Sequence, residues 1–122
     1  MKDLNKVADT IRKEFDAITK VREEALSKSR KLTRHCANAI RAIHRDEEDT
    51  IHEELDQAKV LSTELREALK DFPNIYHSGY TQDALKEYGE ARFTYALVYD
   101  LPLPKPEELK LEPSTYIKGL AE

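Results

Sequence analysis

The sequence predicts an all-α fold, an antiparallel helical bundle with a very long first helix that assembles into a larger oligomer. Only eight of the 122 residues are Gly or Pro, whereas 36% are charged, and this composition favours helices over sheets. From Leu4 to Ile43 the apolar residues recur in steps of three and four, which is the spacing of one helix face. No Gly or Pro precedes Pro73, so nothing in this stretch forces the first helix to end before Arg45.

We expect one helical domain over residues 1–122, with helices at about 3–45, 48–70, 81–99 and 114–122. The first helix would be roughly 60 Å long, at about 1.5 Å per residue. That length exceeds what a compact domain of this size needs, so the helix should lean on other subunits. A short corner joins it to the second helix, and the two should therefore pack antiparallel.

A seven-residue apolar step accompanies the first helix, as in a two-stranded coiled coil. A coiled coil also needs a second apolar position in each heptad, and here those positions include Arg22 and Ser29. Polar residues at these positions favour a bundle instead. The acidic cluster Asp46–Asp49 should cap and start the second helix, because carboxylates are favoured at the positive end of the helix dipole.

The breaks in helical structure are predicted in the second half of the chain. Residues 72–80 include Pro, Asn and Gly and are predicted to form a loop, after which Thr81 should cap the third helix. That helix has apolar residues on more than one side and should be the most buried. Residues 100–106 (DLPLPKP) form a stiff, non-helical connector, with one further turn at 107–111. The last helix stops in mid-pattern, which suggests that the chain is truncated at its C terminus.

Charge is distributed unevenly along the chain. Residues 1–45 hold 12 Lys and Arg against six Asp and Glu, and residues 46–122 hold eight against 18. Four arginines of the first helix fall within about 60° of one another, opposite its apolar residues. This arginine row consists of Arg30, Arg34, Arg41 and Arg45. Such a row suits the repeated negative charge of a nucleic-acid backbone, although a solvated face with scattered cations is the simpler interpretation.

A single cysteine, Cys36, excludes an internal disulfide. It falls on the apolar side of the first helix, which indicates a small core residue in a reducing compartment. The sequence has no hydrophobic run long enough for a signal peptide or a membrane span. We therefore expect a cytoplasmic protein without membrane contact.

An acidic pair, Glu87 and Glu90, lies in the sequence KEYGEAR on the third helix. Residues three apart share one side of a helix, and carboxylates directed into a buried helix repel each other unless a cation joins them. Oxygen ligands of this kind suit Mg²⁺ or Mn²⁺. Gly89 would let another backbone or a substrate approach. The competing interpretation is a pair of surface glutamates matched by Lys86 and Arg92.

Other catalytic motifs are absent or incomplete. The sequence from His52 to Asp56 begins like an HExxH zinc motif but has Asp in place of the second His. An all-α nucleotide pyrophosphohydrolase stays a further alternative, which turnover of nucleoside triphosphates would support. Its pattern, EExxE followed by ExxD, fails at two places, because Gln57 follows Glu53-Glu54 and Glu90 replaces the Asp. There is no Gly-rich phosphate loop, nucleophile elbow or paired CxxC.

Taken in order, four pieces of the sequence resemble the translin family. They are Ser29-Arg30, Ile43-His44-Arg45, Glu87-Tyr88-x-Glu90-Ala91 and Tyr116-Ile-x-Gly-Leu-Ala-Glu122. The resemblance is closest to its catalytic branch, translin-associated factor X (TRAX), in the archaeal single-subunit form. It covers essentially the whole chain and about the first two thirds of a typical member.

The resemblance implies an all-helical subunit of a hollow, octamer-like shell that encloses RNA. It also implies Mg²⁺-dependent endoribonuclease activity, for which Glu87 and Glu90 match the family's first acidic pair. Glu122 falls where the catalytic branch has an aspartate, and it is the third candidate for catalysis and metal binding. The family's fourth acid would lie one helical turn further on.

Two non-catalytic functions remain alternatives to the nuclease. One is a translin-like scaffold that binds single-stranded RNA or DNA without cleaving it. The other is a plain coiled-coil interaction module, which would form a dimer or trimer and need no metal.

Overall fold

The structure is a computed structural model that describes residues 2–121, and the elements of this range are six helices without a strand. In chain order they are α1 (Lys2–His44), α2 (Glu48–Leu69), α3 (Pro73–Tyr76), α4 (Gly79–Val98), α5 (Pro106–Leu109) and α6 (Pro113–Ala121). The predicted all-α fold class with a very long first helix is confirmed. None of these helices is long and apolar enough to cross a membrane.

Helices α1, α2 and α4 form the bundle. Lys28 lies 3.8 Å from Glu64, and His35 lies 2.5 Å from Glu54, so α2 runs antiparallel to α1. Helix α4 runs parallel to α1. Helix α6 packs on the other side of α4, where the Thr115 hydroxyl donates a hydrogen bond of 2.6 Å to Oε1 of Gln82.

The corner between α1 and α2 differs from the expectation. Asp46 adopts a left-handed conformation, with φ 55°, and the amide of Glu47 donates to the carbonyl of Ala42 at 3.0 Å. A left-handed residue with this hydrogen bond is a standard C-terminal cap. Asp46 therefore ends α1, whereas Glu48 and Asp49 lie in the first turn of α2 as the acidic cluster predicts. Glu47 occupies the N-cap position of α2, but its side chain makes no capping hydrogen bond.

The predicted loop at 72–80 is also wrong in part. Pro73 opens the short helix α3, because its fixed φ suits the first turn of a helix. Helix α4 already begins at Gly79, after Ser78 in an extended conformation. Thr81 is therefore not a cap but a fully buried residue inside the helix. Residues 101–105 have no helical structure, and one short helix, α5, follows them.

The core lies among the three bundle helices and covers only the second half of α1. The first buried residue of α1 is Ala25. The apolar residues before Ile18 remain mostly exposed, between 55% and 67% for Leu4, Val7, Ile11 and Phe15. The part of α1 before Val21, which packs against the core, therefore carries an apolar stripe that the rest of residues 2–121 leaves exposed.

Candidate functional site

The acidic pair Glu87 and Glu90 lies half-buried on α4, at the edge of its packed face. Ala84 and Ala91 are buried on this helix, and such small side chains allow neighbouring helices to approach closely. The pair lies near enough to Cys36 of α1 to affect its ionisation. Burial, followed by the negative charges of Glu87 and Glu90, raises the pKa of the Cys36 thiol well above its usual range.

Cys36 is fully buried, as expected for a core residue. A third carboxylate, Glu54 of α2, also raises the pKa of this thiol. Glu54 accepts a hydrogen bond of 2.5 Å from Nδ1 of His35, and both side chains are about one-fifth exposed. The site around the thiol is therefore acidic, and one of its three carboxylates is already engaged. Sequence reasoning missed this pair, because His35 and Glu54 are 19 residues apart and on different helices.

The acidic pair supplies two carboxylates of the predicted metal site. Nζ of Lys86 lies 3.9 Å from Oε1 of Glu87, so a cation already stands beside one of them. Among residues 2–121, no group of three His, Cys, Asp or Glu is arranged to hold a metal ion. The third candidate, Glu122, lies outside the described residues.

Two glycines bring other segments against α4 near the acidic pair. A Cβ on Gly119 of α6 would lie 3.2 Å from the carbonyl oxygen of Lys86 and 3.4 Å from the amide nitrogen of Glu90. The absence of a side chain there lets α6 lie directly on the backbone that carries the pair. Gly89 has a different role from the one expected. A Cβ there would lie 2.9 Å from Cδ1 of Leu111, so this glycine accommodates the Leu111 side chain rather than a backbone or a substrate.

All four members of the arginine row are exposed on α1, but they differ in their partners. Arg41 donates a hydrogen bond to the side chain of Asn38, and Nη1 of Arg45 lies 3.9 Å from Oε1 of Glu47. Arg30 and Arg34 have no ion pair with another residue of the range 2–121. Together with Lys31 they line a surface depression of about 390 Å³. The guanidinium groups of Arg30 and Arg34 therefore have no side-chain partner among residues 2–121, whereas Arg41 and Arg45 each have one.

The arginine row and the acidic pair do not form one continuous site within the subunit. Cys36, which faces the acidic pair, lies on the side of α1 opposite the row. Arg30 is the exception, because it also lines a groove between α1 and α4 together with Asp83. Asp83 precedes Glu87 by one helical turn, so Arg30 is the member of the row that reaches toward the acidic helix.

Comparisons with known proteins extend this description. No protein-family model matches the chain. The chain is 36% identical over 104 residues to the uncharacterized protein MJ0175 of Methanocaldococcus jannaschii, a match that covers 84% of this chain and 46% of that protein. The chain thus spans about half the length of the curated relative it matches.

A solved structure shares the fold. The crystal structure of apo-NeC3PO matches with a TM-score of 0.87 and 21% sequence identity, over 93% of this chain and 60% of that chain. The chain therefore has a translin-like all-α fold.

Proposed function

We propose that this chain is a TRAX-like subunit of the translin family, which binds RNA within a larger assembly and cleaves it as a metal-dependent endoribonuclease. The observation that carries the proposal is the acidic pair, held half-buried beside Cys36. A divalent ion bound there would take the place of Lys86 beside Glu87 and balance the charge of both carboxylates. The sequence resemblance and the translin-like fold support the same proposal.

The acidic pair fits a divalent ion in ligand type, because Mg²⁺ is held by one or two carboxylates and keeps several waters. Glu87 and Glu90 would hold the ion, with Glu122 as a third ligand. When bound, Mg²⁺ or Mn²⁺ would stabilise charge on the phosphate and activate a water. Arg30 and Arg34 would bind the phosphates of the strand and set its orientation.

Assembly is the second part of the proposal, and the exposed stripe on the first part of α1 supports it. Residues 2–24 carry six Lys and Arg and six Asp and Glu. This balanced segment attracts neither a polyanion nor a polycation strongly, so its apolar stripe is better suited to burial against a second copy of the chain. In the proposed assembly, a homo-oligomeric shell of about eight subunits, this stripe would be buried between neighbouring copies.

The nuclease proposal is tested by incubating a labelled single-stranded RNA with the protein, with and without Mg²⁺. Glu87→Gln/Glu90→Gln keeps the size of both side chains and removes their charge, and it should abolish cleavage without weakening RNA binding. The matched control is Glu64→Gln/Glu67→Gln, which changes an exposed pair of the same spacing on α2. Cleavage at the wild-type rate by the first variant would show that the site is assigned to the wrong residues.

A non-catalytic scaffold for single-stranded RNA or DNA is the second candidate. It is favoured by the exposed guanidinium groups of Arg30 and Arg34, because binding of phosphates to them does not require the acidic pair. The same assay separates the two candidates, because a scaffold retards the RNA on a gel but never shortens it at any Mg²⁺ concentration.

A further inference from the structure

A groove of about 350 Å³ lies between α1 and the first turns of α4. It is separate from the acidic pair but close to it, since four residues of helix, about 6 Å, separate Asp83 from Glu87 along α4. The groove is lined by Leu26, Ser29, Arg30, Thr33, Tyr80 and Asp83. It therefore offers apolar surface, an aromatic ring, hydroxyl groups and both signs of charge within one concave surface.

Ser29 is the least expected member of this groove. Only 3% of the residue is exposed, and its hydroxyl oxygen is buried and has no hydrogen-bond partner among the described residues. A buried hydroxyl without a partner lowers stability, so such groups are rare in native proteins. The serine at this position is explained if a bound molecule supplies the missing partner.

Arg30 and Asp83 give the groove its charges. They carry opposite charge and line the same surface, yet neither forms an ion pair with any residue from 2 to 121. The guanidinium group is available to an anion such as a phosphate. The carboxylate is available to accept hydrogen bonds from hydroxyl or amino groups.

Tyr80 completes the set of ligand-binding groups. Its side chain is half-buried and packs against the core on one side, while it lines the groove on the other. None of the ring pairs within residues 2–121 includes Tyr80, so its exposed face is available for stacking. Aromatic faces of this kind bind the bases of single-stranded nucleic acids.

From these groups we infer that the groove is a subsite for one nucleotide of a single-stranded RNA. The base stacks on Tyr80, the phosphate binds Arg30, and Asp83 accepts hydrogen bonds from the ribose hydroxyls or a base amino group. Ser29 gains a partner from the bound nucleotide. This inference rests on the proposed function, and it places a neighbouring phosphate of the strand beside the acidic pair one turn further along α4.

The test measures binding of two probes, adenosine 5′-monophosphate and a short fluorescein-labelled oligoadenylate. Tyr80→Ala should weaken binding of the oligoadenylate roughly 5- to 150-fold, the range for loss of one stacked base, whereas Tyr80→Phe should stay within about twofold of the wild type because it keeps the ring. The control is Tyr95→Ala, which removes a half-buried tyrosine at the far end of α4 and should leave binding unchanged.

Ser29→Ala is the second variant. It removes only the hydroxyl oxygen, so it should not disturb the fold as the loss of a large side chain could. It should weaken binding of both probes roughly 2- to 10-fold, as expected for one lost hydrogen bond, without a lower unfolding midpoint. Arg30→Gln should lower the slope of log affinity against log salt for the oligoadenylate by about one unit. Tyr80→Ala should leave that slope unchanged, because stacking releases no counterions.

The outcomes separate the subsite from the proposed function. If Tyr80→Ala and Ser29→Ala bind the oligoadenylate as the wild type does, while Arg34→Gln binds it more weakly, the subsite is refuted and RNA binding stands. If adenosine 5′-monophosphate binds but does not compete with the oligoadenylate, the groove is a site for free nucleotides and not part of the strand path. If the wild-type protein binds neither probe, both the subsite and the proposed function are refuted.

Discussion

The hydroxyl of Tyr99, at the end of α4, donates a hydrogen bond of 2.5 Å to Oδ1 of Asp46 at the corner between α1 and α2. The two residues are 53 positions apart in the sequence, so this contact ties the end of α4 to the end of α1. It is consistent with the parallel packing of α1 and α4, in which the middle of α4 lies near Cys36.

This contact predicts a pH dependence of stability. The hydrogen bond to Asp46, followed by burial and nearby negative charges, raises the pKa of Tyr99 from 10.0 to about 12. Because the folded state holds the proton more tightly, its contribution to stability is complete below pH 10 and is lost as the pH rises through about 12. The unfolding midpoint should fall more steeply between these values in the wild type than in Tyr99→Phe, as measured by circular dichroism. Parallel curves for the two proteins would contradict the prediction.

Two buried serines predict opposite effects on stability. Ser62 is 1% exposed and Ser29 is 3% exposed, but only Ser62 has a partner, donating to the carbonyl of Lys59 at 2.9 Å. Ser29→Ala removes an unsatisfied buried hydroxyl, whereas Ser62→Ala removes a hydrogen bond. The Ser29→Ala protein should therefore be the more stable of the two, by about 1 to 3 kcal/mol in free energy of unfolding.

Urea denaturation measures this difference directly. Both substitutions gain the same helix propensity, so propensity cancels in the comparison. Equal stabilities would mean that the Ser29 hydroxyl is satisfied in the folded protein and would remove one support of the nucleotide subsite.

Local sequence patterns were sufficient to predict the three bundle helices, but not α3 and not every residue that ends a helix. The three- and four-residue apolar spacing predicts α1, which the structure bounds at Lys2 and His44. It does not show that Asp46 would turn left-handed and end this helix, because acidic residues are also common at helix starts. Pro73 with Asn74 and Gly79 favours a loop, although proline is equally common in the first turn of a helix.

The site was less accessible to sequence reasoning, since its contacts join distant residues. The spacing of Glu87 and Glu90 shows that they share a side of α4, but it does not reveal that Glu54 and His35 meet beside the same thiol. The arginine row was predicted as four equivalent residues. In the structure Arg41 is hydrogen-bonded to Asn38 and Arg45 forms an ion pair with Glu47, whereas Arg30 and Arg34 have no such partner among residues 2–121.

The close approach of α6 to α4 predicts that replacing glycine by alanine lowers stability at Gly119 but not at Gly79. A Cβ on Gly119 would press on backbone atoms of α4 at 3.2 and 3.4 Å, whereas nothing lies within 4 Å of a Cβ on Gly79. Gly119→Ala should therefore lower the unfolding midpoint and displace α6. Gly79→Ala should be neutral or stabilise by up to about 1 kcal/mol, because alanine loses less entropy in a helix. A stable Gly119→Ala protein with unchanged RNA cleavage would show that α6 can move without affecting the acidic pair.

The exposed stripe on α1 predicts that assembly can be disrupted without unfolding the bundle. Ile11 and Phe15 are 60% and 64% exposed, so Ile11→Asp/Phe15→Asp changes little within the subunit. It should reduce the mass of the oligomer measured by sedimentation, because burial of these side chains against another copy is the expected driving force. The matched control, Asp9→Ala, changes a polar position of the same segment. An unchanged mass for the double variant would show that the stripe is not the interface.

The division of the arginine row predicts unequal effects on RNA binding. Arg30 and Arg34 are free to bind phosphates, whereas the partners of Arg41 and Arg45 must be displaced first. Each of Arg30→Gln and Arg34→Gln should reduce the slope of log affinity against log salt by about one unit, and Arg41→Gln and Arg45→Gln should reduce it less. Arg12→Gln is the control, because Arg12 lies in the charge-balanced segment and already pairs with Asp9 at 3.6 Å. Equal reductions for all five variants would indicate a diffuse electrostatic surface, in which the strand follows no particular path along α1.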